Sequence, residues 1–149
     1  MTSFTNTVTI DRPAREVFAF LADLENVPRW NYAITETRKT SPGEIGVGTA
    51  FEQTRSIPAP SRETLSITRF EPGRRLAVEG TLARYRARLD YTVRESDAGT
   101  EVTNTVDLEL TGAAKLLGSV ATGRIRSAVG ENLRTLKRLL ESDSWEPPS

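Results

Sequence analysis

Residues 10–30 have the sequence IDRPAREVFAFLADLENVPRW and change from strand periodicity to helix periodicity at Pro13. Before Pro13, the even positions from Phe4 to Ile10 alternate with serine and threonine, as a half-buried strand requires. After Pro13, the apolar residues fall on one stripe of an amphipathic helix: Val17, Phe20, Leu21 and Leu24. Pro13 is tolerated in the first turn of such a helix, and Pro28 limits its continuation just before Trp30. The stretch therefore predicts a strand followed by two short helices.

The composition removes several classes of function. The chain has 149 residues, which fits one domain, and 20 acidic and 20 basic residues give a net charge of zero. No overall field attracts nucleic acid or an anionic membrane, so we predict neither a nucleic-acid partner nor stable membrane insertion. Without cysteine or histidine, the commonest metal ligands and bases are missing, and we predict no metal and no cofactor.

The ends of the chain carry little further signal. The N-terminus has no basic region followed by an apolar run, and no segment approaches the roughly 20 apolar residues that span a bilayer. We therefore expect a cytoplasmic protein. Residues 142–149 are polar apart from Trp145 and end in a proline pair before the last serine, so we expect this tail to fray after a single domain over 1–141. The sequence predicts no particular oligomeric state.

Turn residues divide the middle of the chain into short alternating runs. These runs predict strands near residues 2–10, 33–40, 48–57, 61–70, 74–80, 83–95 and 99–110. Residues 113–141 then follow a helical pattern that contains Gly118, Gly123 and Gly130. Each glycine lowers helix propensity by about 1 kcal/mol relative to alanine, so packing against the sheet must compensate. Small residues on this helix would also leave open volume beneath it.

The last two strands can be aligned as a hairpin by their apolar alternation. A turn at Asp97 and Ala98 produces three opposite-charge pairs: Arg94 with Glu101, Arg88 with Asp107 and Arg86 with Glu109. The same register places Tyr91 opposite Asn104 on the inner face. Arg84, Arg86 and Arg88 share the other face, which we interpret as a solvated outer surface rather than a contact for nucleic acid.

Together, these elements have the order β-α-α-β6-α. That order resembles the helix-grip superfamily, and four motifs resemble its polyketide cyclase/dehydrase and lipid-transport branch (START-like, SRPBCC): residues 12–30, Gly46–Phe51, Phe70–Arg74 and Leu133–Leu140. The resemblance implies an α+β fold in which a seven-stranded curved antiparallel sheet wraps around the long C-terminal helix. It also implies an apolar cavity between sheet and helix that binds a lipid, a polyketide or a similar hydrophobic molecule.

Candidate ligand-binding residues follow from placing the inner strand positions and one helix face around that cavity. They are Trp30, Phe51, Gln53, Arg55, Leu65, Ile67, Tyr85, Leu89, Tyr91, Asn104, Val106, Leu117, Val120, Ala121 and Ile125. Glu63, Leu108, Arg124 and Ala128 are expected on the same inner surface. Structural roles are the alternative for three of them: Tyr85 and Tyr91 as core aromatics, and Asn104 as a structural hydrogen-bonding group. Trp30 is expected either to cap the cavity mouth or to join helix and sheet.

Three functions are compatible with this sequence. The first is binding or transport of a hydrophobic small molecule without chemistry, which the absence of histidine and cysteine favours. The second is an aromatase/cyclase-type enzyme, in which Arg55, Tyr85 or Tyr91 polarises a carbonyl and Asn104 positions it, because such reactions depend strongly on orientation. The third is an interaction module whose own side chains fill the cavity.

Overall fold

The computed structural model describes residues 2–112, 115 and 118–147, and within them it has the predicted order of elements. The strands are β1 (Thr2–Ile10), β2 (Ile34–Lys39), β3 (Ala50–Arg55), β4 (Ser61–Glu71), β5 (Arg75–Leu82), β6 (Tyr85–Ser96) and β7 (Gly99–Glu109). The α-helices are α1 (Ala14–Ala22) and α2 (Gly118–Glu141), and a 3-10 helix covers Leu24–Arg29. The α+β helix-grip architecture is thus confirmed, with the second short helix in 3-10 form.

All seven strands form one curved antiparallel sheet with the order β1-β7-β6-β5-β4-β3-β2. The predicted hairpin register is confirmed: Arg94 lies opposite Glu101, and Tyr91 lies opposite Asn104. Irregularities in register interrupt β2 after Ile34 and β4 after Ile67, and such bulges bend a sheet. At Gly80 a Cβ atom would lie 2.1 Å from the carbonyl oxygen of Thr64, so this close approach of β4 and β5 requires glycine.

The outer face of the sheet differs from the predicted charge pairing. Arg94 does reach Glu101, at 3.0 Å, but Arg88 contacts Asp90 at 3.5 Å rather than its register partner Asp107. Asp90 also accepts two hydrogen bonds from Arg75, at 3.0 and 2.7 Å. The register sets which residues lie opposite each other, but a long arginine side chain can reach several neighbouring carboxylates. The register therefore does not determine which ion pairs form.

The first helical segment packs its apolar stripe into the core, as the sequence predicted. Val17, Phe20 and Leu21 are buried, and Phe18 makes an edge contact with Phe70 of β4 at a ring distance of 5.5 Å. α1 ends before Asp23, whose side chain accepts a hydrogen bond from the backbone N–H of Glu25 and starts the 3-10 helix. The apolar residues thus keep their helical spacing as far as Leu24, although the α-helix ends at Ala22.

α2 is fixed to the sheet along β1. The Asn6 side-chain amide donates to the carbonyl oxygen of Arg126 at 3.2 Å, and Lys137 Nζ donates to that of Thr9 at 2.6 Å. Residues 130–141, the C-terminal half of α2, bury Leu133, Leu136 and Leu140 in the core. Among the described residues, no helix has the length and apolar character needed to cross a membrane.

Within the C-terminal tail, for which the sequence predicts fraying, Trp145 packs against residues near the start of the chain. Trp145 is buried, with its ring edge-on to Phe20 at 5.9 Å and the Arg12 guanidinium 5.1 Å from its centre. Arg12 also donates to the carbonyl oxygens of Leu140 and Ser142. The ring contact with Phe20 therefore joins Trp145 to α1, and Arg12, just before α1, adds a cation–π contact to Trp145 and a hydrogen bond to Ser142.

Candidate functional site

A cavity of about 710 Å³ lies between the sheet and residues 118–129, the N-terminal half of α2. Its other walls come from residues 31–33 after the 3-10 helix, residues 57–61 between β3 and β4, and the turn that joins β5 to β6. Most of its wall is apolar because the helix contributes small or aliphatic side chains: Val120, Ala121, Ile125, Ala128 and Val129. The cavity is partly open to solvent.

A buried ion pair adjoins this cavity through Arg55. Arg55, which lines the cavity, donates from Nε to Glu63 Oε2 at 2.8 Å and from Nη2 to Glu63 Oε1 at 3.1 Å. The same carboxylate accepts Gln53 Nε2 at 2.7 Å and the backbone N–H of Ala83 at 2.9 Å. Four donors thus neutralise and orient a carboxylate that is almost inaccessible to solvent, as a buried charge requires.

The β5–β6 turn is held over the cavity in an unusual backbone conformation. Ala83 and Arg84 are its two central residues, with φ of 49° and 78°, between the paired residues Leu82 and Tyr85. Two-residue hairpins of this kind usually carry glycine or asparagine at positive φ. The hydrogen bond from the backbone N–H of Ala83 to Glu63 ties this turn to the buried ion pair. The turn and the ion pair therefore support each other's position in the fold.

Three of the residues that line the cavity are apolar and largely exposed to solvent. Tyr32, Ile57 and Val120 are 62%, 47% and 56% exposed, and all three line the cavity. Scattered exposed apolar residues are normal on protein surfaces, but a group of them around a concave site is typical of binding surfaces. These three residues come from three separate chain segments, so the fold itself assembles the apolar mouth.

The structure separates the predicted ligand-binding residues into two sets. Those that line the cavity are Arg55, Tyr85, Val120, Ala121 and Ile125. Those that lie elsewhere, mostly in the packed core, are Trp30, Phe51, Gln53, Leu65, Ile67, Leu89, Tyr91, Asn104 and Val106. Leu117 lies outside the described residues. The contact of any of these residues with a ligand stays a prediction.

Three of the polar or aromatic candidates have clear structural partners. The Trp30 ring packs edge-on against Tyr91 at 6.5 Å, which joins the end of the 3-10 helix to the sheet. Burial raises the pKa of the Tyr91 hydroxyl well above its ordinary value because the phenolate would be desolvated. Asn104 is fully buried and donates to the carbonyl oxygen of Asp90 at 3.4 Å. Of the four candidate catalytic residues, only Arg55 and Tyr85 line the cavity.

Several cavity residues received no role in the sequence analysis. Tyr32 and Asn132 are two of them. Glu63, which was expected on the inner surface, is buried as the partner of Arg55 and does not line the cavity. Asn132 lines the cavity, is buried, and its Oδ1 has no hydrogen-bond partner among the described residues. Arg84 was predicted on the solvated outer strand face: it is exposed, but the strand placement is wrong, because it lies in the turn before β6 and lines the cavity.

This combination of fold and cavity is that of the helix-grip class. The sequence of this chain identifies its family more narrowly. The model of the family described as "Polyketide cyclase / dehydrase and lipid transport" matches residues 1–141. The chain belongs to that family. A relative in Mycobacterium tuberculosis (strain ATCC 25618 / H37Rv), the uncharacterized protein Rv2574, is 30% identical, and the match covers 93% of this chain and 84% of the relative.

Solved structures share the fold at lower sequence identity. TTHA0849 from Thermus thermophilus superposes with a TM-score of 0.81 at 16% identity, over 97% of this chain and all of that one. The di-domain ARO/CYC BexL from the BE-7585A biosynthetic pathway gives a TM-score of 0.71 at 21% identity, over 99% of this chain and 51% of BexL. This chain therefore corresponds to about one half of the di-domain protein.

Proposed function

We propose that this protein binds a hydrophobic small molecule, such as a lipid or a polyketide, in the cavity between the sheet and the N-terminal half of α2. The observation that carries the proposal is the apolar cavity of about 710 Å³. Ligand sites in proteins typically have volumes of roughly 300–1,000 Å³ and mostly apolar walls with a few polar groups. The volume and lining of this cavity therefore suit a small organic ligand.

The chemistry of the wall indicates how such a ligand would be held. Apolar surface removed from water contributes about 25 cal/mol per Å², so Val120, Ile125 and Val129 would supply affinity. Arg55 keeps N–H groups beyond those used by Glu63 and by the carbonyl oxygen of Ile57, because a guanidinium carries five. These donors, with the Tyr85 hydroxyl, would orient a carbonyl or hydroxyl of the ligand. Binding of this kind is the step that a carrier and a cyclase have in common.

The first test is titration of the protein with N-phenyl-1-naphthylamine, a neutral apolar dye that fluoresces in apolar surroundings. We expect saturable binding, and we expect Ala121→Trp to weaken it by at least about tenfold, equivalent to 1.4 kcal/mol, because the indole would occupy the cavity. The matched control is Val47→Trp, since Val47 is 69% exposed and does not line the cavity. Equal dye affinity in the two folded variants would argue against the proposal.

A further inference from the structure

The charged side chains that line the cavity all have the same sign. Arg55, Arg84 and Arg124 line it, and neither aspartate nor glutamate appears among its lining residues. This excess is local, because the whole chain carries equal numbers of acidic and basic residues. An apolar cavity that presents only arginines differs from one built for a neutral hydrocarbon, since arginines near an apolar site must be solvated or paired with an anion.

Only one of the three arginines is neutralised within the protein. Arg55 is held by Glu63 in a two-bond contact. Arg84 and Arg124, by contrast, take part in none of the ion pairs formed by the described residues. The residues outside the described ranges are methionine, alanine, leucine, proline and serine, and none of these has an acidic side chain. Two positive charges at the cavity thus lack an acidic side chain as partner.

One carboxylate beside the cavity mouth, that of Glu131, is already paired with another arginine. Glu131 lines a shallow groove that shares Arg124, Tyr32 and Val120 with the cavity. Its side chain, however, forms an ion pair with Arg134 on the next turn of α2. Glu131 therefore does not neutralise Arg124, and the positive charge at this side of the mouth persists.

Arg84 and Arg124 are placed by separate structural devices. Arg84 sits in the two-residue turn at positive φ, and the Glu63 carboxylate holds that turn through Ala83. Arg124 follows Val120 by four residues and precedes Ala128 by four, so it lies on the helix face that lines the cavity. The hairpin and the helix thus each contribute one exposed arginine to the lining of the same apolar cavity.

We propose that the ligand is an amphiphile with an anionic head group, a carboxylate, sulfonate or phosphate, held by Arg84 and Arg124 while its apolar body fills the cavity. This proposal rests on the proposed function, since it requires that the cavity bind a ligand at all. Guanidinium groups form strong two-bond contacts with such anions. The anionic head group adds to the proposed function the sign and the position of the ligand's charge, which the apolar wall alone does not define.

The test compares two dyes with the same aromatic body. N-phenyl-1-naphthylamine is neutral, and 8-anilino-1-naphthalenesulfonate carries one sulfonate. We expect Arg84→Gln and Arg124→Gln each to weaken sulfonate binding by about three- to tenfold, with a larger loss in the double variant. Affinity for the neutral dye should stay within about twofold of the original protein, because the apolar wall is unchanged.

Matched controls come from arginines two residues further along the chain. Arg86→Gln on β6 and Arg126→Gln on α2 remove the same charge from residues that do not line the cavity, and they should leave both affinities unchanged. Neutral-dye binding with sulfonate affinity unaffected in the double variant would overturn the anionic head group and leave the proposed function standing. Binding of neither dye would overturn both.

A final arm identifies the source of the head group. Sedimentation with phosphatidylglycerol vesicles, compared with phosphatidylcholine vesicles, tests for the same anion in a bilayer. Retention on the anionic vesicles that is lost in the double variant would support a lipid head group as the source. Sulfonate binding without vesicle retention would support a free amphiphile. Retention that is equal in the double variant, together with unchanged sulfonate affinity, would contradict the proposal.

Discussion

The two halves of α2 face different surroundings although they form one continuous helix. In the C-terminal half, Leu133, Leu136 and Leu140 are 2%, 0% and 0% exposed and complete the core. In the N-terminal half, Val120 is 56% exposed, and Ala121 and Ile125 line a cavity, with Ile125 only partly buried against the small cluster of Phe4, Val106 and Leu108. One helix therefore acts as core in one half and as the wall of a candidate ligand site in the other.

The sequence of α2 explains this difference. The C-terminal half repeats leucine at helical spacing, whereas the N-terminal half is rich in small residues, including Gly118, Ala121, Gly123 and Ala128. Leucines fill the space between a helix and a sheet, and small side chains leave it open. The expectation that small residues on this helix would leave volume beneath it agrees with the position of the cavity.

The largest loss of stability is expected when the buried carboxylate of Glu63, close to the cavity, is removed. Glu63→Ala leaves Arg55 buried and unpaired, so we expect unfolding free energy to fall by about 3–5 kcal/mol, measured by urea denaturation. Glu52→Ala is the matched control on the neighbouring strand. Glu52 forms exposed pairs with Arg38 and Arg62, which predicts a loss of about 1 kcal/mol or less. Similar losses of unfolding free energy in Glu63→Ala and Glu52→Ala would show that the buried ion pair adds no more stability than an exposed one.

The second prediction contrasts the two halves of α2 directly. Leu136→Ala should lower unfolding free energy by about 2–5 kcal/mol because it creates a cavity in a packed core. Ile125→Ala should cost less than about 2 kcal/mol, since Ile125 already borders open space. Dye titration should show the reverse order: weaker N-phenyl-1-naphthylamine binding in Ile125→Ala and unchanged binding in folded Leu136→Ala. If the same variant showed the larger loss of both stability and dye affinity, α2 would not be divided into a core half and a cavity half.

The features that the sequence predicted depend on local periodicity. Alternation fixed the β6–β7 register, because shifting it by one residue would move Tyr91 and its apolar neighbours to the other face. Helical spacing likewise identified α1 and α2. The family resemblance then supplied the arrangement of sheet and helix, and with it the expectation of a cavity. Which inner residues would reach that cavity depended on the depth of the packed core, which no local pattern encodes.

The features that the sequence missed depend on contacts between distant segments. Arg55 meets Glu63 diagonally across β3 and β4, and that register was not predicted. Arg84 looked like a strand residue because a turn of alanine and arginine lacks the glycine or asparagine signal of such hairpins. Trp145 lies in a polar tail, and its burial depends on Phe20 and Arg12 at the other end of the chain. In each case a tertiary contact overrides the local pattern.

The smallest effect is expected on the outer face of the sheet, where the Arg75–Asp90 pair links β5 and β6. Hydrogen bonds from Arg75 hold the pKa of Asp90 below its ordinary range and outweigh partial burial, which raises it. A carboxyl with a lowered pKa in the folded state stabilises the protein above its unfolded pKa of about 3.9, and this contribution disappears as the pH falls through the folded value.

We therefore expect Asp90→Asn to lose about 1 kcal/mol or less at pH 7 and to show a weaker decline in stability than the original protein below about pH 4, measured by urea denaturation across pH. Neutral-dye affinity should not change, because Asp90 does not line the cavity. A change in that affinity with an unchanged pH profile would mean that the outer face controls the cavity, and the contrast between the halves of α2 would then no longer account for ligand binding.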